Sequence, residues 1–270
     1  MNDPPKPVCL SIAGLDPSGG AGIIADVTTF QAFGCYAVAA VTSVTFQNAT
    51  SVFGTEDQSA ASVRRQIEAV LYDLEVSAIK TGMLPTREIV ETIADIIQER
   101  KLQRIVVDPV IRSTSGYDLI EKTAVQALVE RLFPLAVLIT PNIPESEQIT
   151  GIAIESEEDI REAASIMREM GARNVLIKGG HLMNTGCRTQ NAGSTRMAVD
   201  HLFIGEEQQS FSAEYVDGSV MRGTGCILSS AIAANLALGN TLPDAIALSK
   251  EFVTNAIIGT APNSVTVIHQ

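Results

Sequence analysis

The chain has 270 residues, 19 Lys and Arg against 31 Asp and Glu, a formal net charge of −12, four cysteines and no tryptophan. With 46% hydrophobic and 19% charged residues it can bury a sizeable core, which excludes disordered and fibrous classes. A pI of about 4.7 argues against a nucleic acid or an anionic membrane surface as its partner.

In chain order, Val8–Ile12, Val38–Thr45, Val76–Ile79, Ile105–Val107, Ala136–Ile139 and Val175–Ile177 read as buried strands, being apolar, β-branched and mostly bounded by Gly, Pro or Asp. Between them lie helical patterns. Ser62–Leu74 and Thr123–Phe133 are two, and Ile89, Val90, Ile93, Ile96 and Ile97 form one apolar face of another. Ser156 and Asp159 form a capping box that opens a helix with Ile160, Ala163, Ala164, Met167 and Met170 inward. Cys226–Leu238 and Asp244–Ile258 close the series. The polar stretch Gly186–Glu214 breaks the rhythm; its strands Met197–Ile204 and Gln209–Ala213 predict an antiparallel edge or flap.

Alternating strands and helices predict an α/β fold, a mostly parallel sheet with helices on both faces. With no internal repeat or long linker, residues 1–270 are expected to form one domain. Cys9, Cys35, Cys187 and Cys226 are scattered, without CxxC spacing, so neither a zinc site nor a disulfide framework is expected. No run reaches the roughly 18 apolar residues of a membrane span. The acidic, proline-rich start does not resemble a secretory signal, so a cytoplasmic location is expected.

Polar residues collect where the strands end. Gly14-Leu15-Asp16-Pro17-Ser18-Gly19-Gly20-Ala21-Gly22 follows the first strand, Gln47-Asn48 the second and Lys80-Thr81-Gly82 the third. Asp108-Pro109 follows the fourth, Thr140-Pro141-Asn142-Ile143-Pro144-Glu145 the fifth and Lys178-Gly179-Gly180-His181 the sixth. In a parallel sheet these lie along one edge, the carboxyl ends, where open α/β sheets bind ligands. Turns alone do not require Lys, Asp and Glu there.

The first glycine-rich loop fits neither the Walker A nor the dinucleotide pattern; its glycines serve a tight strand–helix turn or close approach of a ligand. A second loop, Gly223-Thr224-Gly225-Cys226, runs straight into a helix. Backbone N–H groups at such an N-terminus make an anion hole. Two readings of Cys226 stand: a thiol whose thiolate the helix end stabilises, or a small buried apolar residue. The histidines show no metal spacing, His181 reads as a loop residue, and no G-x-S-x-G elbow is present. Acids at strand ends beside an anion hole suggest metal–nucleotide phosphoryl transfer, in which positioning and electrostatics do most of the catalysis.

Taken in order, Ala13–Ile23, Gln47-Asn48, Lys80-Thr81-Gly82-Met83-Leu84, Asp108-Pro109-Val110, Thr140-Pro141-Asn142-x-x-Glu145, Lys178-Gly179-Gly180-His181 and Gly223-Thr224-Gly225-Cys226 resemble the hydroxymethylpyrimidine/phosphomethylpyrimidine kinases of thiamin biosynthesis. That family is ribokinase-like, and the likeness runs from about residue 8 to residue 258. It implies a three-layer α/β/α fold, ATP and Mg²⁺, a pyrimidine alcohol or its monophosphate as substrate, and a homodimer. It implies that Gly14, Asp26, Gln47, Met83 and Val110 surround the pyrimidine. Asn142 and Glu145 would organise magnesium and phosphate, and Cys226 would be the catalytic base.

On this reading the substrate's hydroxymethyl oxygen attacks the γ-phosphorus in line. Cys226 accepts the proton, amides from Gly223, Thr224, Gly225 and Cys226 hold developing charge, and Lys178 and Asp108 face phosphates and metal. The chain departs from the resemblance at Arg222, where the family usually has His, at Leu15 and Phe46, in the 186–196 segment and after Gly259. The nearest rival is a pyridoxal kinase of the same subgroup; Gln47-Asn48 favours the pyrimidine. A sugar kinase would carry Asp in place of Cys226, and a non-catalytic binding module would not need Asn142, Glu145 and Cys226.

Overall fold

A computed structural model describes residues 5–48, 50–113, 116–179, 197–215 and 222–259. Its elements are β1 (Val8–Leu15), α1 (Gly22–Ala32), β2 (Tyr36–Gln47), β3 (Val52–Asp57), α2 (Ala60–Asp73), β4 (Val76–Thr81), α3 (Arg87–Glu99), β5 (Ile105–Val107), α4 (Lys122–Ala127), β6 (Leu138–Ile139), α5 (Ile143–Thr150), α6 (Glu157–Glu169), β7 (Asn174–Lys178), β8 (Met197–Ile204), β9 (Glu207–Glu214), α7 (Thr224–Ala237) and α8 (Leu242–Gly259). The strands form one sheet in the order β3-β2-β1-β4-β5-β6-β7-β8-β9. The six from β2 to β7 run parallel, with β3 antiparallel at one edge and β8 and β9 antiparallel at the other.

Strand alternation sorts the core into two layers. Leu10, Ile12, Ile79, Ile105, Val107, Ile139, Val175 and Ile177 face one side, against α2, α3, α4 and α6. Their neighbours Cys9, Ala78, Val106, Leu138, Leu176 and Leu202 face the other, against α1, α7 and α8. Helix α3 shows the local logic: Thr86 accepts from the N–H of Ile89, and Ile89, Val90, Ile93, Ile96 and Ile97 turn inward. Each such buried side chain stabilises by about 1.5–3 kcal/mol. The capping box at Ser156 and Asp159 forms with both of its hydrogen bonds.

Two features depart from the sequence reading, and a third resolves an alternative it left open. Strand β3 breaks the alternation: Asn48 Oδ1 accepts from Thr50 N, Thr50 Oγ1 and Ser51 N, and this turn folds β3 back on β2. Helix α4 is shorter than expected and winds on through a π turn at Leu128–Leu132 and a 3₁₀ turn at Phe133–Leu135, which carries Pro134. The segment expected as an edge or flap is an edge, because β8 pairs with β7 from Asn174 to Lys178. Residues 186–196, like Gly180 and His181, lie outside the described residues. Among the described residues, no helix is long and apolar enough to cross a membrane.

The strand order creates the crevice. From β1 the chain goes to β2 on one side, then returns past β1 to β4 on the other. Connections that diverge from neighbouring strands leave a gap at their carboxyl ends, the topological switch point.

Candidate active site

At the switch point, Gly14 is the last residue but one of β1, and β4 leads on to Met83. A Cβ on Gly14 would stand 2.9 Å from Met83 Sδ, so the glycine lets this buried methionine lie directly against the strand end. The Met83 carbonyl accepts Thr42 Oγ1 at 2.6 Å, which fixes the turn. The loop after β1 folds back until Gly22, at φ +57°, lies where a side chain would meet the Gly14 carbonyl; here tight turning explains the glycine. Asp16 caps that loop, its Oδ1 accepting from Ser18 N at 2.8 Å and Ser18 Oγ at 2.7 Å. Its buried Oδ2, like Thr81 Oγ1, has no hydrogen-bond partner among the described residues.

Charged groups meet along the ends of β5, β6 and β7. Lys178 Nζ donates to Asp108 Oδ1 at 2.7 Å, Thr140 Oγ1 donates to the same oxygen at 3.0 Å, and Ser229 Oγ of α7 reaches Asp108 Oδ2 at 3.2 Å. Asn142 caps α5 in a reciprocal box, with Glu145 N to Asn142 Oδ1 at 2.9 Å and Asn142 N to Glu145 Oε2 at 2.8 Å. Burial pushes the Glu145 carboxyl up to about 7. Lys178 and the N–H groups of Asn142 and Ile111 pull it down, while Asp108 pushes it further up.

Two helices aim their N-termini at this edge without a side-chain cap. Helix α1 starts after Ala21 and α7 after Gly223, whereas α2, α3, α5 and α6 are capped by Ser59, Thr86, Asn142 and Ser156. Gly223 sits at φ +68°, and a side chain there would meet the Gly20 carbonyl, so the two glycine loops touch. Neither end has a side-chain cap, and the Gly22 N–H at the start of α1 is directed to the Cys226 sulfur; uncapped helix N-termini of this kind suit an anionic ligand.

Cys226, the third residue of α7, lies between these ends, half-buried. Burial pushes its thiol up, Lys80 opposes this, Asp108 and Asp26 add to it, and the Gly22 N–H pulls it down. The net shift is upward, so the resting group is a thiol; helix-end stabilisation is present but outweighed by desolvation. A Cβ on Gly225 would stand 3.2 Å from Lys178 Nζ, so that ammonium lies against the first turn of α7.

The remaining expected residues are placed as follows. Gln47 ends β2 half-buried, with no side-chain hydrogen bond among the described residues, and Val110 follows Asp108 at the same edge. Asp26 is wholly buried, both of its oxygens bonded to Ser11, Lys80 and Ser230. The roles of Lys80, Ser229 and Ser230 were not readable from spacing; their one signal is polarity inside apolar elements.

A family model described as phosphomethylpyrimidine kinase matches residues 16–268. The chain belongs to this family. Among family relatives, a hydroxymethylpyrimidine/phosphomethylpyrimidine kinase of Aquifex aeolicus is 39% identical over 250 residues, 93% of this chain and 94% of that protein. A thiamine biosynthesis bifunctional protein of Geobacter sulfurreducens is 44% identical over 253 residues; they are 94% of this chain but only 49%, about half, of that protein's length. The crystal structure of a phosphomethylpyrimidine kinase from Clostridium difficile 630 superposes with a TM-score of 0.78 at 40% identity, covering 93% of this chain and all of that one. A pyridoxal kinase from Staphylococcus aureus in complex with pyridoxal superposes with a TM-score of 0.82 at 30% identity, covering 94% and 88%. The fold is therefore the three-layer ribokinase-like one.

Glu145 gives this family member a pH signature. Its carboxyl is raised from about 4.5 to about 7, so the folded protein keeps a proton that the unfolded chain releases between those values. Its contribution is present in full below pH ~4.5 and lost as pH rises through ~7. In urea unfolding of the metal-free protein, Glu145→Gln, which keeps an acceptor for the Asn142 N–H, is expected to flatten the fall in stability between pH 5 and pH 8.

Proposed function

We propose that this chain transfers the γ-phosphoryl group of ATP to the hydroxymethyl oxygen of an aminopyrimidine alcohol, and then to the resulting monophosphate, a step in making thiamin. The observation that carries the proposal is the pair of uncapped helix N-termini, α1 and α7, on either side of Cys226 and next to the Lys178–Asp108 pair. Uncapped helix ends and an ammonium aimed at one point suit a transferring phosphoryl group, whose charge develops on its outer oxygens. Gln47, its amide without a hydrogen bond among the described residues, faces the pyrimidine edge, and Gly14, Met83 and Val110 offer an apolar wall to its ring. Cys226, once its thiol has lost its proton to solvent, accepts the hydroxyl proton as the oxygen attacks. The amides of Gly223, Thr224, Gly225 and Cys226 hold the developing charge. Asp26 enters this scheme behind the site, as the counter-ion of Lys80.

Two buried carboxylates at adjoining strand ends, Asp108 and Glu145, fit a magnesium ion that completes its shell with phosphate oxygens and water. Glu145, raised by desolvation, is a carboxyl that a nearby cation would ionise. The ion, when bound, would neutralise phosphate charge, with Asn142 and Lys178 orienting the same phosphates. For the second step, Arg222 donates to the Asn48 carbonyl at the mouth beside Gln47, a cation placed to meet a substrate phosphate.

The second reading, a pyridoxal kinase, is favoured by the TM-score of 0.82; the higher identity to the pyrimidine kinases and the Gln47 amide favour the first. A coupled ATP assay with the aminopyrimidine alcohol, its monophosphate and pyridoxal decides. Turnover of the first two supports the proposal, and turnover of pyridoxal alone overturns it. Tight binding of one compound without turnover of any identifies a binding module.

The family match across residues 16–268 and the single nine-stranded sheet support one kinase domain over residues 1–270. Among the described residues Cys9, Cys35 and Cys226 are free thiols, which suits a reducing cytoplasm. A homodimer fits the exposed Tyr36, Phe46 and Phe53 at the β2–β3 edge, and sedimentation would show it.

A further inference from the structure

Lys80 has no exposed surface, although it lies one residue from the end of a strand that opens on the site. Its Nζ donates to both oxygens of Asp26, at 2.8 Å each. Asp26 also accepts Ser11 Oγ at 2.6 Å and Ser230 Oγ at 2.8 Å. Three donor groups make four hydrogen bonds, two to each oxygen of one carboxylate. The cluster joins β4, α1, β1 and α7 around a charge pair that apolar residues of similar volume could replace without loss of stability. Stability alone is therefore weak grounds for the pair, which leaves room for a second role.

Position supplies that role. Ser230 follows Cys226 by four residues, so both lie on the same face of α7, one turn apart. The next serine along, Ser229, makes the matching bond to Asp108, which holds Lys178. Two consecutive serines thus tie the helix that carries Cys226 to two buried lysine–aspartate pairs. The Lys178 pair faces the proposed phosphate site; the Lys80 pair lies behind it, with no step of its own in the reaction above. Gly82 leaves room for it, since a Cβ there would stand 2.9 Å from Lys80 Nζ.

We propose that Lys80 is a positioning residue for Cys226: through Asp26 and Ser230 it fixes the first two turns of α7, and its ammonium supplies the counter-charge that the sulfur needs when it loses its proton. This rests on the reading of Cys226 as the proton acceptor. The groups that act on the thiol are Lys80 from β4, Asp26 and the Gly22 N–H from α1, Asp108 from the end of β5 and Lys178 from β7. Lys80 is the strongest of those that oppose burial, and it is itself held above an ordinary lysine because Asp26, Cys226 and Asp108 outweigh its desolvation.

The test follows alkylation of Cys226 by iodoacetamide against pH, read by peptide mass spectrometry, beside kcat and KM. In Lys80→Met the alkylation midpoint is expected to rise by about one to three pH units, and kcat to fall with a pH profile shifted the same way. Lys80→Met/Asp26→Asn, which leaves no unpaired buried charge, should show a smaller rise. Ser230→Ala, which keeps both charges, should lower kcat several-fold with KM for ATP unchanged. Profiles that superimpose on the wild type in either folded Lys80 variant overturn the proposal. If neither Lys80 variant folds, an unaltered kcat in Ser230→Ala overturns it. A shifted midpoint in a protein that phosphorylates none of the three substrates keeps the link from Lys80 to Cys226 and overturns the kinase reading instead.

Discussion

Replacing Cys226 with alanine is expected to lower kcat by about 10²–10⁴-fold, the usual contribution of a general base, while the fold and the KM for ATP stay near wild type. The fold should survive because the side chain is small, half-buried and replaced by the best helix former. Affinity for ATP should survive because the free amides of α7 belong to its backbone and remain in place. The resting thiol adds a second expectation. Since burial holds the proton on sulfur, turnover of the wild type should increase with pH as the thiol ionises, and the alanine variant should lose that limb. Cys226→Asp offers a carboxylate at the same point and should restore part of kcat with an acid-shifted profile. Measurement of kcat against pH for the three proteins checks both points; an alanine variant with wild-type kcat removes Cys226 from the chemistry.

The sheet was largely legible in the sequence because buried parallel strands need short apolar runs and leave little else for them to be. Ile105–Val107 and Met197–Ile204 fall where expected. Strand β3 was not legible: Val52–Asp57 contains Gly54 and three polar residues, and its pairing depends on the turn that the Asn48 side chain builds. Helix α1 was obscured by the glycines before it and by its lack of a cap, the property that makes its N-terminus useful. Helix α5 was hidden behind Pro141 and Pro144, although its capping box lay in plain view as Asn142 and Glu145.

In the site, the charged residues at strand ends were readable, since turns do not need them. Their pairing was not. Lys80 finds Asp26 across 54 residues, and Ser230 finds the same carboxylate across 204. Local periodicity carries no information over such separations; only the fold brings these groups together. The net charge of −12 proved a poor guide for the same reason. The cations that matter, Lys80 and Lys178, are buried at the strand ends, each against one aspartate, while acidic side chains such as Glu157, Glu158 and Glu206 stand exposed to solvent.

The second large effect is expected at Lys178, in both stability and activity. Its side chain is 13% exposed and that of Asp108 2%, so Lys178→Met leaves a buried carboxylate with only the Thr140 and Ser229 hydroxyls. Breaking a buried pair from one side costs about 3–5 kcal/mol; the partial exposure of Lys178 puts this case near the lower end. Activity should fall by about 10²–10³-fold, the range for losing one preorganised donor to a developing charge, since the ammonium lies against the first turn of α7. The double variant Lys178→Met/Asp108→Asn separates the two effects. With no charge left unpaired it should regain most of the stability, read by urea unfolding, yet remain as inactive as the single variant. Recovery of kcat along with stability would mean that Lys178 only balances Asp108 and never acts on the phosphoryl group.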